Sequence, residues 1–172
     1  EGSTVSIEVY RPSEDKYLTF EVERKTIEIP MVTSKMLDNN IGYVAVYEFE
    51  ETTSEQFNQA IDALTAQGMK GLIIDLRDNP GGLVNSATAI LDRILSKDQL
   101  LVYTVDKNGK KQEEYTEDDE TINVPISVLI NGNSASASEI VSGCLQDYGK
   151  AKLVGTTSFG KGIVQYVLPL GD

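Results

Sequence analysis

Short apolar segments with strand character alternate with segments of helical periodicity from residue 41 onward. Residues 41–49, 72–76 and 125–130 are β-rich, nearly continuous apolar runs. Between the first two runs, apolar side chains recur at the spacing of one helix face: Phe57, Ala60, Ile61 and Leu64. A strand, a crossover helix and a second parallel strand form the repeating unit of α/β folds. The order therefore predicts an α/β fold with helices packed on a largely parallel sheet.

Two further helices are predicted from the same periodicity. One follows the chain-breaking residues 79–82 and carries an apolar stripe: Leu83, Ala87, Ile90, Leu91, Ile94 and Leu95. The other starts near Ser134, after a turn at residues 131–133, and runs to about Tyr148. Each helix follows a buried strand, as the α/β interpretation requires.

The remaining segments are predicted to be extended. Residues 100–105 and 110–115 flank Asn108-Gly109, the strongest short signal for a hairpin with a type I′ turn. Strands at residues 152–155 and 163–168 complete the order. At the start of the chain, Val5, Ile7 and Val9 alternate with polar residues and are followed by a second β-rich run, which predicts another hairpin.

Composition limits both the size of the fold and its partners. The 172 residues are 40% hydrophobic, which suits one globular domain. A net charge of −12, from 27 acidic and 15 basic residues, argues against a nucleic-acid surface. With no histidine and one cysteine, Cys144, the chain lacks the ligand sets for zinc, haem or iron-sulfur sites, so we expect no metal or other cofactor.

The lack of histidine also bears on catalysis by a hydroxyl group. Ser136 lies in the serine-rich segment 134–139, and Lys161 follows it after 25 positions. A lysine amine can replace histidine as the base for a serine nucleophile if it is uncharged near pH 7. The pair is therefore a candidate Ser-Lys dyad. The alternatives are that Ser136 and Glu139 form a capping box, S-x-x-E, and that Lys161 is a surface residue.

The sequence also offers candidate residues around this dyad. The N–H of Ala137, at a helix N-terminus, and those of Gly81-Gly82 are candidate donors to an oxyanion. Phe159, Ile163 and Val164 are candidate apolar walls around Lys161, and residues 150–170 contain no acid. Gln165 could bind the amine without stabilising its charge; the alternative is a polar strand residue that faces water.

Three segments together resemble the signature blocks of the carboxyl-terminal processing peptidases, also called tail-specific proteases. They are residues 75–82 (DLRDNPGG), 131–140 (NGNSASASEI) and 157–165 (TSFGKGIVQ). The resemblance covers about residues 41–170, in the family's order and with its Ser-to-Lys interval. It implies a serine endopeptidase in which Ser136 is the nucleophile, Lys161 the general base and Gln165 the residue that positions the lysine. Ala137, Gly81 and Gly82 match the family's oxyanion-hole backbone.

The resemblance also implies a domain organisation and a setting. Residues 1–24 are similar to the last strands of a PDZ domain, truncated in this chain, and 25–40 to the connector that follows. Residues 41–172 would form a Clp-protease/crotonase-like core, which the family normally extends with further strands. Protein substrates bound through their C-terminal tails, an extracytoplasmic location (secreted, periplasmic or membrane-anchored) and homo-oligomers are consistent with the family. Two alternatives are a non-catalytic peptide-binding or scaffold domain and a crotonase-like site for an acyl thioester.

Overall fold

A five-stranded mixed sheet with three helices forms the centre of the protein. The computed structural model describes residues 2–27, 29–119, 121–165, 168 and 170–171. The elements are, in order, β1 (Thr4–Arg11), β2 (Lys16–Glu23), β3 (Val32–Leu37), a 3₁₀ turn (Asp38–Asn40), β4 (Ile41–Val46), α1 (Thr53–Ala66), β5 (Gly71–Asp75), α2 (Val84–Asp92), β6 (Leu100–Val105), β7 (Lys111–Tyr115), β8 (Ile126–Ile130), α3 (Ala137–Asp147) and β9 (Ala151–Gly155).

The strand order in this sheet is β3-β4-β5-β8-β9. Strands β4, β5, β8 and β9 run parallel to one another, and the edge strand β3 runs antiparallel to β4. The predicted α/β class and the largely parallel sheet are therefore confirmed. The predicted connector, residues 25–40, contains β3. Because an edge strand pairs on one side only and is half exposed, its Thr-Ser-Lys centre lacks the apolar alternation that would have indicated a strand.

The hydrophobic core lies between the helices and one face of the sheet. Val44, Ile74 and Val128 stand side by side on neighbouring strands and are fully buried. The predicted stripe of α1 is buried on the same core, as are Ile90 and Leu91 of α2. Burial of each such side chain contributes about 1.5–3 kcal/mol to folding. This core fixes the ends of β5 and β8, where the candidate site lies.

Two predictions about extended segments are wrong in detail. The hairpin β6–β7 exists, but Gly109 has a positive φ of 82° and Asn108 does not, so the turn is not type I′. Asp106 pairs with Lys110 around a three-residue loop, in which a type I turn is followed by the left-handed glycine. The sequence also predicts a strand at residues 163–168, but residues 163–165 have no regular structure. Residues 166 and 167 lie outside the described residues.

Strands β1 and β2 form a separate two-stranded sheet. Directly opposed pairs place six apolar side chains on one face: Val5, Ile7, Val9, Leu18, Phe20 and Val22. Ile7, Val9, Phe20 and Val22 are each more than 40% exposed. An isolated two-stranded hairpin is marginally stable in water, and in this structure its apolar face is open to solvent.

In the part of the chain that the structure describes, none of the helices has the length and apolar character of a membrane span.

Candidate active site

The loops that follow β5 and β8 meet at one edge of the sheet, because the carboxyl ends of parallel strands lie together. The Ser134 hydroxyl donates to the carbonyl oxygen of Leu76 at 2.7 Å. Asp78 Oδ1 accepts hydrogen bonds from the side-chain amides of Asn131 and Asn133 at 2.9 and 2.8 Å. The loop containing Gly81-Gly82 is thereby fastened to the loop containing Ser136.

Gly81 lies directly against the predicted nucleophile. A Cβ atom at Gly81 would stand 2.7 Å from Ser136 Cβ, 2.7 Å from the carbonyl oxygen of Ala135 and 3.0 Å from the amide nitrogen of Ala137. Only glycine fits this approach, and its φ of 106° also favours glycine. The structure therefore brings together three of the residues proposed from the sequence: Gly81, Ser136 and Ala137.

Ser136 has an unusual backbone conformation, with φ 55° and ψ −114°. A non-glycine residue in this region costs on the order of 1–3 kcal/mol and is concentrated at functional sites. Helix α3 starts at Ala137, directly after Ser136, and the predicted start near Ser134 is wrong. The reason is that the Ser134 hydroxyl is engaged by Leu76 and by the N–H of Asn131, which holds residues 134–136 in a turn.

Glu139 connects the serine turn to the lysine loop. Its Oε2 accepts the N–H of Ser136 at 2.8 Å and that of Lys161 at 2.9 Å. Its Oε1 accepts the hydroxyl of Ser158 and the N–H of Gly160, both at 2.7 Å. The capping box expected as an alternative is thus present: the Glu139 carboxylate faces the N–H of Ser136, and the Ser136 side chain faces the N–H of Glu139. Since the N–H of Glu139 donates to the Ser136 carbonyl oxygen at 2.8 Å, that donor is satisfied whether or not the hydroxyl contributes.

The charge state of Glu139 follows from these contacts. Burial alone would raise the pKa of its carboxyl group. The hydrogen bonds from Ser158, Gly160, Lys161 and Ser136 outweigh burial and hold the pKa below its ordinary value of 4.5. A carboxylate therefore lies beside the backbone of the lysine loop, although the sequence window 150–170 contains no acid. The sequence signal that could have located it is the S-x-x-E pattern itself.

Lys161 shares a groove with Ser136. The groove has a volume of about 750 Å³, and Ile140, Ile163 and Val164 also line it. Within the described residues, no hydrogen bond joins Ser136 Oγ to Lys161 Nζ, and none joins Lys161 to Gln165, which is exposed. Two predicted apolar walls, Ile163 and Val164, do face this groove, but Ile163 is 65% exposed.

Phe159 does not form the wall predicted for it. Its side chain is 67% exposed and does not line the groove, while its N–H donates to the carbonyl oxygen of Ser134 at 3.0 Å. The other side of the groove is the β6–β7 hairpin, through residues that include Val102, Thr104 and Gln112. Sequence reasoning did not connect this hairpin with the site, since the two are distant along the chain.

The backbone donors near Ser136 are not equivalent. The N–H of Gly81 donates to Asn79 Oδ1 at 2.8 Å and is therefore engaged. In the part of the chain that the structure describes, the N–H groups of Gly82 and Ala137 donate no hydrogen bond. These two donors are free to bind an oxyanion.

A polar cluster around the buried Asp75 closes the carboxyl end of β5. Asp75, only 6% exposed, accepts the Tyr43 hydroxyl at 2.6 Å and Arg77 Nη2 at 2.6 Å. Burial would raise the pKa of Asp75, but the hydrogen bonds from Arg77 and Tyr43 lower it below its ordinary value. Desolvation, followed by the hydrogen bond to Asp75, raises the pKa of Tyr43. The cluster fixes the start of the loop that carries Gly81-Gly82.

A strained serine at a helix N-terminus, two free backbone donors and a lysine in the same groove define an α/β protein with a candidate hydrolase site. The model of Peptidase family S41 matches residues 40–172, and the chain belongs to this family.

Known relatives carry names consistent with that family. The carboxy-terminal processing protease CtpB of Bacillus subtilis (strain 168) is 39% identical over 176 residues, which cover 99% of this chain and 36% of the relative. The carboxy-terminal-processing protease of Bartonella bacilliformis is 38% identical over 180 residues, covering 99% and 40%. The solved photosystem II D1 C-terminal processing protease is similar with a TM-score of 0.74 and 27% identity, over 98% of this chain and 47% of that one. The chain thus spans less than half the length of each.

Proposed function

We propose that the parent protein is a serine endopeptidase that cleaves protein substrates near their C-terminal tails with a Ser-Lys dyad. The observation that carries this proposal is the position of Ser136. Its backbone is strained, Gly81 packs against it, and the N–H groups of Gly82 and Ala137 make no hydrogen bond in the described part of the chain. Ser136 also lines the same groove as Lys161. The C-terminal preference rests on family membership and on the names of the relatives.

The proposed reaction is acyl transfer followed by hydrolysis. The uncharged amine of Lys161 takes the Ser136 hydroxyl proton as Oγ attacks the substrate carbonyl carbon, and the oxyanion is bound by the N–H groups of Gly82 and Ala137. When the C–N bond breaks, the ammonium returns its proton to the leaving amine. Lys161 then takes a proton from water, which attacks the acyl-enzyme, and the proton passes to Oγ as the serine is released.

The dyad requires a closer approach of the two side chains than this structure has. Glu139 accepts the backbone N–H of Lys161, but Lys161 Nζ makes no hydrogen bond to Ser136 among the described residues. We propose that Gln165 orients the amine, and that Ile163 and Val164, exposed in this chain, are covered in the whole protein. An apolar cover would favour the uncharged amine, because removal from water disfavours the ammonium.

The rest of the parent protein is proposed to select and deliver substrates. In this proposal residues 1–24 complete a PDZ domain, 25–40 connect it to the core, and residues 41–172 form a Clp-protease/crotonase-like core. The exposed apolar face of β1–β2 supports the first part, since it needs further protein to cover it. Binding of substrate tails, an extracytoplasmic location and homo-oligomer formation belong to the same proposal.

The proposal is tested by assaying the full-length parent with an unstructured protein substrate. We expect Ser136→Ala and Lys161→Ala to abolish cleavage, and the exposed-site controls Ser13→Ala and Lys152→Ala to retain it. Equal cleavage by all variants would eliminate the dyad. A fluorophosphonate probe should label the wild type and not Ser136→Ala. Folded wild type that neither cleaves nor reacts would favour a non-catalytic peptide-binding or scaffold domain. Acyl-thioester binding that is unaffected by Ser136→Ala would favour the crotonase-like alternative.

A further inference from the structure

Asn79 makes hydrogen bonds to both sides of the candidate oxyanion hole. It is fully buried, and its Nδ2 donates to the carbonyl oxygen of Val46 at 2.9 Å, while its Oδ1 accepts the N–H of Gly81 at 2.8 Å. Its own carbonyl oxygen accepts the N–H of Ala135 at 3.1 Å and the Ser138 hydroxyl at 3.0 Å. The residue therefore connects the end of β4, the Gly81-Gly82 loop and the start of α3.

We propose that Asn79 is a positioning residue that orients both oxyanion donors. The inference rests on the proposed function, because it assigns a role within the hydrolytic site. Asn79 does not contact the reacting atoms in this scheme; it acts through Gly82 and Ala137.

The first donor is fixed through the peptide bond that joins Gly81 to Gly82. All peptide bonds of the described chain are trans, so the N–H of Gly82 points opposite to the carbonyl oxygen of Gly81. That oxygen accepts the N–H of Phe49 at 2.8 Å, which turns the N–H of Gly82 away from Phe49. Asn79 Oδ1 holds the other side of Gly81. With both sides held, this flexible peptide cannot rotate and present a carbonyl oxygen to the oxyanion.

The second donor is fixed through the turn that carries the nucleophile. Ala135 and Ser138, both bound by the carbonyl oxygen of Asn79, flank Ser136 and Ala137 along the chain. The strained turn is thus held on either side of the residue that donates the second N–H. A single buried residue sets the positions of both donors relative to each other.

The position requires an amide side chain. Val46 presents an acceptor and Gly81 a donor, and only a group with one donor and one acceptor satisfies both in a site that water does not reach. Aspartate has nearly the same shape and keeps the acceptor, but it loses the donor. It would also place a negative charge beside the site where the oxyanion forms, which opposes the transition state.

The test is Asn79→Asp in the full-length parent, with Asn123→Asp as the matched control. Asn123 is exposed and precedes β8, at the amino ends of the parallel strands, whereas the site lies at their carboxyl ends. We expect Asn79→Asp to lower kcat by about 10²- to 10³-fold, the effect typical of losing one oxyanion donor, with KM changed less than about threefold. The rate of fluorophosphonate labelling should fall in parallel. The ratio of variant to wild-type kcat should rise as pH is lowered, because a protonated carboxyl group can donate to Val46.

Other outcomes separate the possible failures. If Asn79→Asp does not fold, Asn79→Ser is used, because its hydroxyl can bind the N–H of Gly81 without adding charge. Asn79→Ser should also lower kcat, by a smaller factor. A kcat within about threefold of wild type in the folded variant, or a loss carried by KM alone, would overturn the role of Asn79. Cleavage that survives Ser136→Ala would instead overturn the proposed function, so the two failures are distinguished by different variants.

Discussion

Glu139 contributes more to the site than a helix cap. One carboxylate receives hydrogen bonds from Ser136, Ser158, Gly160 and Lys161, so the turn of the proposed nucleophile and the backbone of the proposed base share one anchor. A hydrogen bond to a charged acceptor contributes about 1.5–3 kcal/mol to stability, and this contribution is lost when the donor is left without its acceptor. Substitutions at Glu139 are therefore expected to affect both the rate and the stability.

Glu139→Gln should impair the site although it keeps the shape of the side chain. Its NH₂ group would face two of the four donors, so at least one pair of N–H or O–H groups would lose its acceptor. We expect kcat of the full-length parent to fall at least about tenfold and the free energy of unfolding to fall by about 2 kcal/mol. Kinetics and urea denaturation measure both. Glu51→Gln, at an exposed position, is the control, and equal behaviour of the two variants would contradict the anchoring role.

The lowered pKa of Glu139 also predicts a pH dependence. In the unfolded chain the carboxyl group titrates near its ordinary value of 4.5, and in the folded chain below it. The contribution of Glu139 to stability is therefore fully present above the unfolded pKa and is lost as pH falls through the folded pKa. Between about pH 5 and pH 2, the wild type should lose more unfolding free energy than Glu139→Gln, as measured by urea denaturation at each pH. Parallel curves for the two proteins would show that Glu139 is not responsible.

Gly81→Ala and Gly143→Ala compare an added methyl group where the structure has no room for it with the same group where it has room. At Gly81 the added methyl group would collide with Ser136 and Ala135, and φ is positive; at Gly143, inside α3, nothing lies within 4 Å. We expect Gly81→Ala to cost on the order of 1–3 kcal/mol and to abolish cleavage, and Gly143→Ala to add up to about 1 kcal/mol. Thermal unfolding and peptidase assays distinguish them. Full activity in Gly81→Ala would contradict the proposed geometry.

At the scale of elements, the β6–β7 hairpin forms one wall of the groove and is fastened mainly at its root. The Tyr148 hydroxyl, at the end of α3, donates to the carbonyl oxygen of Leu100 at 3.0 Å. The Thr116 hydroxyl donates to the carbonyl oxygen of Ser96 at 2.6 Å and closes the other side of the root. The helix that begins after Ser136, the proposed nucleophile, thus also holds the wall on the other side of the groove.

Tyr148→Phe should loosen this wall. The loss of one hydrogen bond costs about 1 kcal/mol, and the hairpin makes few other contacts with the core. We expect faster amide hydrogen exchange over residues 100–105 and a KM raised a few-fold, with kcat little changed. Tyr47→Phe removes a hydroxyl that bonds Thr33 on the exposed edge of the sheet and serves as the control. Unchanged exchange in Tyr148→Phe would show that the hairpin is held by other contacts.

Sequence patterns predicted the elements whose side chains face the core, such as α1 and β8, because burial imposes a period on them. They did not predict β3, whose central residues face solvent. The adjacency of Gly81 and Ser136 followed from the rule that parallel strands end together. The role of Glu139 did not follow, since the hydrogen bonds that define it come from Gly160 and Lys161, in a loop more than 20 positions further on.

At the scale of the whole molecule, the chain has two unequal parts. Residues from β3 to β9 bury a continuous core, whereas β1 and β2 leave one apolar face largely exposed. The proposal that this face is covered in the parent can be tested by comparing substitutions on the two faces of the hairpin.

Phe20→Ser and Tyr17→Ser test whether the parent covers the apolar face. Phe20 stands opposite Ile7 on that face, and Tyr17 stands opposite Tyr10 on the other. Truncating a buried aromatic side chain costs about 3–5 kcal/mol, while an exposed one costs little. We expect Phe20→Ser, and not Tyr17→Ser, to lower the melting temperature of the full-length parent. A melting temperature that is unchanged in Phe20→Ser would show that the apolar face is not covered.

The backbone of Ser136 has a further consequence for how the proposed activity would be lost on heating. Relaxation of this one residue into an ordinary helical conformation would relieve its strain and lengthen α3 by a residue. The first step of heat damage would then be a local rearrangement that leaves a folded but inert molecule. Inactivation should precede melting, and the thermal durability of the proposed activity would be set by a single turn of the chain and not by the core.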